Sequence, residues 1–369
     1  MTTRKRRYKT TRRRGSYRSL FADKRAQRRK KRVLRLALFS LLVVLLMGIL
    51  GAYWVLFAPV GREDREYNLY ITERSSLKTV EQELTDSLQL RYPVLFSWVS
   101  KTIGLQKKLK PGKYLLHTRM SIRELILPLW RGTQTPVRLV FNSARTQNEL
   151  LAALTAPLQM DPSDLKKLLS DSLFCAGKGL DTASIRTIFL PNTYEVYWNT
   201  TPENLVELFY THHQKFWTQE RLQQARKIGF SPVEVSIIAS IVEEESSKTD
   251  EYASIAGLYI NRLRRGMRLQ ADPTVKYACG DFSIKRITSN LLAVSSPYNT
   301  YRVYGLPPAP IRYPQQSSID KVLHFTEHEF LYMCARADFS GYHDFAKTYA
   351  EHRINAMRYQ SELNKRNIR

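Results

Sequence analysis

Residues 231–247 read SPVEVSIIASIVEEESS, and this stretch organises the second half of the chain. Ser231 is placed to cap a helix, Pro232 suits the first turn because no backbone N–H is needed there, and Glu234 completes the capping-box spacing. A helix is therefore expected to begin at this point. At about 100° per residue, Val235, Ile238, Ile241 and Val242 form one apolar stripe, while Ser236, Ala239 and Ser240 form a second stripe of small side chains leading to Glu243. Glu245 falls on the side of Ile238, Ile241 and Val242, and Glu244 on a third side. Three carboxylates at the negative end of a helix oppose its dipole, so they need local partners or a chemical role. Taken alone, three glutamates at a helix end fit a solvated face better than a catalytic site; of the three, only Glu243 sits over a floor of small residues.

Downstream, residues 252–264 carry Ile255, Leu258, Tyr259 and Arg262 at helical spacing, with Gly266 as the stop signal. Asp272 precedes Pro273, a context that disfavours helical geometry and predicts a turn. Gln270 lies beside it. Residues 296–301 (SPYNTY) and 305–311 (GLPPAPI) read as a rigid loop of aromatic and proline residues, suited to the faces of sugars. A strand is expected over 330–335, then the segment GYHDF at 341–345, and a terminal helix from Thr348.

Upstream, the pattern from Thr135 predicts a strand over 137–141, helices over 146–154 and 161–170, and a turn at FLPNTYE (189–195) entering a strand. One long amphipathic helix is expected over 202–228, with Leu205, Leu208, Phe209, His212 and Phe216 near one face; His212 and His213 read as helix surface. Residues 67–132 read as a small unit in the order β, α, α, β, α, with Ser121 and Glu124 as a second capping box. No internal repeat is evident.

Residues 1–35 hold 17 Lys or Arg and one acidic residue, Asp23, so this tail carries +16 of the chain's formal +25. Basic tracts bind phosphate generally. Here there is no base-reading motif and the tract abuts residues 36–58, 23 residues without a charge, enough to span a bilayer. The apolar core is longer than that of a signal peptide and no small-residue cleavage pattern follows, so an uncleaved anchor is expected, with the tail cytoplasmic by the positive-inside rule. Nucleic acid is not an expected partner. About 310 residues remain beyond the span, room for two or three domains. Cys175, Cys279 and Cys334 are widely separated, with no CxxC or Cys/His cluster, so neither a metal site nor a disulfide framework is expected.

The string ASIVEEE (239–245) followed by NRLRRGMRLQADPTV (261–275) resembles the MltG-type, or YceG-like, endolytic murein transglycosylases. The PGKY strand at 111–114 resembles the family's LysM-like region, FLPNTY its L-F-P-D-T-Y segment with Asn192 in place of the acid, and GYHDF its closing G-x-H-x-F; Gln315 follows Pro314 where the family has glycine. The resemblance implies an α+β chain: a single transmembrane helix (36–58), a LysM-like α+β subdomain (59–134), a linking part (135–230) and a YceG-like catalytic domain (231–369). It implies a lyase that cuts the MurNAc-β-1,4-GlcNAc bond within peptidoglycan strands, leaving 1,6-anhydroMurNAc ends and terminating nascent strands. Glu243 is then the expected proton shuttle, with Gln270, Asp272, Asn299, Thr300, Tyr301 and His343 positioning substrate. No metal or cofactor is implied. The expected setting is the bacterial inner membrane with the catalytic domain on the periplasmic side, and cell-wall synthases are candidate partners. The competing expectation is a glycan-binding scaffold without catalysis that recruits those synthases; Glu243 in its motif argues against it.

Overall fold

The computed structural model describes residues 16–61, 64–284 and 286–366; most of the basic tail's first half, residues 1–15, lies outside the described residues. The chain divides into two compact units, Met1–Gln134 and Thr135–Arg369.

The first unit begins with α1 (Ser16–Phe57). Within it Arg25–Trp54 is, among the described residues, the one helical stretch long and apolar enough to cross a bilayer, and none of it is buried. That is consistent with a single-pass anchor. Beyond it, β1 (Glu66–Ile71) pairs antiparallel with β2 (Gly112–His117), with Leu69 opposite Tyr114 and Tyr67 opposite Leu116. A two-stranded ribbon is marginal alone. This one is covered by α2 (Leu77–Leu88), α3 (Pro93–Thr102), the short α4 (Leu105–Lys108) and α5 (Ile122–Arg131). Leu69, Leu84, Leu88, Phe96, Tyr114, Leu116, Leu125 and Leu129 form the core between ribbon and helices. Ser121 and Glu124 form the expected capping box, a contribution of about 1 kcal/mol. The helix α4 was not foreseen, since four residues carry too little periodicity to read.

The second unit opens with β3 (Val137–Phe141), which pairs antiparallel with β4 (Asn192–Val196). Between them run α6 (Gln147–Thr155), α7 (Pro162–Leu169) and α8 (Ser172–Ala176), capped by Thr146, Asp161 and Asp171. The expected long helix over 202–228 is two helices, α9 (Pro202–Phe216) and α10 (Gln219–Ile228). Trp217 leaves helical geometry at ψ 69° and Thr218 caps the second helix by accepting the Arg221 N–H. The apolar spacing runs across this break and conceals it. His213 is also not a surface group: its ring lies against Trp217, and burial lowers its pKa to about 4.

The remaining elements are α11 (Pro232–Glu245), α12 (Tyr252–Arg264), α13 (Asp272–Cys279), α14 (Ser289–Leu292), α15 (Gln316–Leu323), β5 (Tyr332–Ala335), β6 (His343–Ala346) and α16 (Tyr349–Lys365). Strands β5 and β6 form a third antiparallel ribbon. Helix α11 starts with the expected box of Ser231 and Glu234, yet every residue from 235 to 242 is buried. A helix apolar or small on all sides is a central helix; α10, α12, α13 and α15 surround it. Gly257 marks the tightest approach of α12, where a Cβ would lie 2.4 Å from the carbonyl oxygen of Thr326.

Candidate active site

The C-terminal end of α11 delivers Glu243, Glu244 and Glu245 into three environments. Glu244 accepts from Arg145 Nε at 2.8 Å and Arg312 Nη1 at 2.7 Å. Glu243 lies 3.1 Å from Arg312 Nη2 and accepts the backbone N–H of Gln315 at 2.8 Å. The small side chains beneath Glu243 seat the segment 311–315: the Ser240 hydroxyl accepts the Ile311 N–H at 3.0 Å, and Tyr313 N–H donates to Ala144 O at 2.9 Å. The floor that seemed open in the sequence is filled by backbone. Glu243 and Glu244 thus join α11 to the 311–315 segment and to the loop after β3, where Arg312 also reaches Ser143.

Glu245 faces a cavity of about 280 Å³ whose lining includes Tyr259, Arg262, Gln270, Asp272, Tyr301 and His343. Part of the residue's surface stays open, but its Oε2 is sealed from solvent and has no hydrogen-bond partner. Burial pushes its pKa up to about 8, helped by the negative charge of Asp272 and opposed by a hydrogen bond from Tyr259 and by the charges of Lys276 and Arg262. Tyr259 is itself buried, which raises its pKa well above that of a free phenol.

Asp272 is the first residue of α13 and not a turn residue as expected, because Pro273 falls in the first helical turn, where its missing N–H costs nothing. Tyr301 donates its hydroxyl to Asp272 Oδ1 at 2.6 Å, and burial followed by this bond raises the phenol's pKa. Gln270 sits in the left-handed region at φ 52°, an uncommon conformation for a non-glycine residue. Its Oε1 accepts from Arg262 Nη1 at 3.3 Å, while Arg262 also donates to the carbonyls of Leu331 and Leu269 at 2.6 and 2.7 Å. His343, on β6, gives its backbone N–H and its Nδ1 to Glu251 at 2.9 and 3.0 Å.

Four of the six residues expected to position substrate, Gln270, Asp272, Tyr301 and His343, therefore meet around Glu245. The other two do not line this cavity. Asn299 and Thr300 are fully buried: Asn299 Nδ2 donates to Leu292 O and Val294 O, and Thr300 Oγ1 accepts Ala271 N–H at 3.0 Å. Thr300 thereby ties the 296–301 loop to the start of α13, and Asn299 Oδ1 accepts the Tyr301 N–H at 3.1 Å, so the two fix the backbone that carries Tyr301. Sequence reasoning missed Tyr259, Arg262 and Glu251 as parts of the site. The first two stood in the α12 spacing as core positions, and an arginine on an apolar stripe was the available signal. Among the described residues no group of three or more His, Cys, Asp or Glu is disposed to hold a metal, and the three cysteines are free thiols.

Part of the chain is 38% identical over 129 residues to an endolytic murein transglycosylase of Bacillus subtilis (strain 168), covering 35% of each protein. It is 24% identical over 321 residues to the endolytic murein transglycosylase of Streptococcus pneumoniae serotype 2 (strain D39), covering 78% of this chain and 58% of that one. The matches thus span about a third to three-fifths of these relatives' own lengths. A crystal structure of a putative YceG-like protein from Listeria monocytogenes superposes with a TM-score of 0.51 at 25% identity, covering 79% of this chain and 99% of that chain. The sequence profile of the YceG-like family matches residues 69–358, most of the chain and all of the cavity lining, so the chain belongs to the YceG-like family.

Proposed function

We propose that this chain is an endolytic lytic transglycosylase of peptidoglycan and that Glu245, not Glu243, is its acid. The carrying observation is the buried, unpartnered Oε2 of Glu245 in a polar cavity, with a pKa pushed up to about 8. At pH 7 such a carboxyl is roughly nine-tenths protonated and can give a proton to a leaving oxygen. Glu243 and Glu244 are instead paired with Arg312, which suits them to holding structure.

In this reading Glu245 protonates the glycosidic O4 as the C1–O4 bond breaks, and the C6 hydroxyl of the same MurNAc closes onto C1, giving up its proton to a base of the cavity wall. A hydroxyl already tethered to the reacting sugar replaces an external water, so no second carboxylate is needed to activate one. Asp272 places negative charge near the cationic C1 that develops. Gln270, Asp272, Tyr301 and His343 position the sugar, and Asn299 and Thr300 support them from beneath. The names of the relatives support the reaction class. The charge distribution of the N-terminal region supports a cytoplasmic tail and a cavity outside the inner membrane, where strands under synthesis and their synthases are found.

The test is a digest of purified glycan strands by the full chain in detergent micelles, read by mass. Products lighter by one water than hydrolysed ends are expected. Hydrolysed ends alone would make the protein a glycosidase, and uncut strands would make it a scaffold.

A further inference from the structure

His343, on the cavity wall, is paired with a carboxylate that the proposed acid leaves unused. Glu251 directly precedes α12 and is 8% exposed. Its carboxylate accepts three hydrogen bonds: His343 N–H at 2.9 Å, His343 Nδ1 at 3.0 Å and Ser246 Oγ at 3.3 Å. A carboxylate can only accept, so Nδ1 carries the hydrogen, and in the neutral ring Nε2 is left as the acceptor. Among the described residues no protein group bonds to Nε2. His343 lines the same cavity as Glu245, and Ser246 follows Glu245 directly, so Glu251 ties the residue after the acid to the ring. Of the neighbouring acceptors, Asp272 Oδ1 takes the Tyr301 hydroxyl and Gln270 Oε1 takes Arg262.

A buried carboxylate, an imidazole fixed through Nδ1 and a free Nε2 are the base and orienting group of a nucleophilic triad. Among the described residues no hydroxyl is bonded to Nε2, and the substrate brings one. We propose that His343 is the base for the C6 hydroxyl and that Glu251 is the positioning residue that fixes its ring, an inference that rests on the transglycosylase reaction above. The O6–C1 bond forms and the C1–O4 bond breaks; O4 takes the proton of Glu245, and the O6 proton passes to Nε2. The imidazolium then loses a proton to solvent and Glu245 regains one when product leaves. No water is consumed.

The experiment uses the full chain in detergent micelles with glycan strands, and reads kcat, KM, the ratio of anhydro to hydrolysed ends, and melting temperature. H343Q is expected to melt with the parent and to lose about a hundredfold or more in kcat, with KM within about threefold. Its residual product shifts toward hydrolysed ends, because an unheld C6 hydroxyl competes poorly with water. E251Q keeps an oxygen for Nδ1–H but not the charge, and should fall between parent and E251A. Should E251A fail to fold, H343Q alone decides. A folded H343Q with kcat near the parent's, a loss carried by KM alone, or an unchanged product ratio overturns the proposal while leaving the reaction standing. A parent that yields no anhydro ends overturns both.

Discussion

Glu245 carries two opposed demands, since the burial that makes it an acid near neutrality also penalises its ionisation. The unfolded chain ionises this group near pH 4.5 and the folded chain near 8, so the native state binds its proton more tightly. Stability from this group is therefore full below pH 4.5 and falls as pH rises toward 8. Glu245→Gln removes both effects. It should abolish anhydro product, by about a thousandfold or more, and melt above the parent at pH 8 while nearly matching it at pH 4.5; calorimetry across that range checks the sign. In the parent, turnover should decline as pH rises through about 8. Glu243→Gln should do the reverse, keeping turnover within about tenfold while costing about 1–2 kcal/mol in denaturant unfolding, because Arg312 keeps Glu244 but loses one charge partner. The motif and its helix were legible from Ser231 onward. The different surroundings of the three carboxylates were not, because they depend on which helix face the 311–315 segment covers, a contact about 70 residues away in sequence.

At the scale of elements, capping residues were the reliable signals: Ser121, Thr146, Asp161, Ser231 and Thr348 each cap the helix they were expected to start. What failed was continuity. The break at Trp217 interrupts a spacing that stays apolar on both sides, and the helix at Asp272 begins where a proline argued for a turn. Close approach of elements is equally invisible in a sequence, and Gly257 is the case with the largest consequence. A methyl group there would press on backbone, the Thr326 carbonyl, with the His328 ring 2.9 Å away on the same side. Gly257→Ala should lower stability by about 1–3 kcal/mol despite alanine's better helix propensity, and a denaturant midpoint above the parent's would contradict the packing described.

For the whole molecule, the run of charge followed by the run of apolar residues was the plainest feature of the sequence, and α1 carries the charged run from Ser16 onward and the apolar run up to Phe57. The orientation proposed above rests on the 17 basic residues before residue 36. Protease added to spheroplasts should therefore digest everything beyond residue 61, and protection of that part would reverse the topology. After the apolar helix there is little slack. Ala58 N–H bonds back to Trp54 O, Pro59 bridges Ser121, and Val60 and Gly61 N–H bond to Met120 O and Thr118 O. Arg91 N–H bonds to Val60 O, and the Arg91 guanidinium lies 6.0 Å from the Trp54 ring. The first folded unit is consequently moored to its stalk with no free leash, and its working height above the lipid is set by protein geometry rather than by polymer reach. Seated in a bilayer, such a tether would fix the altitude of this unit.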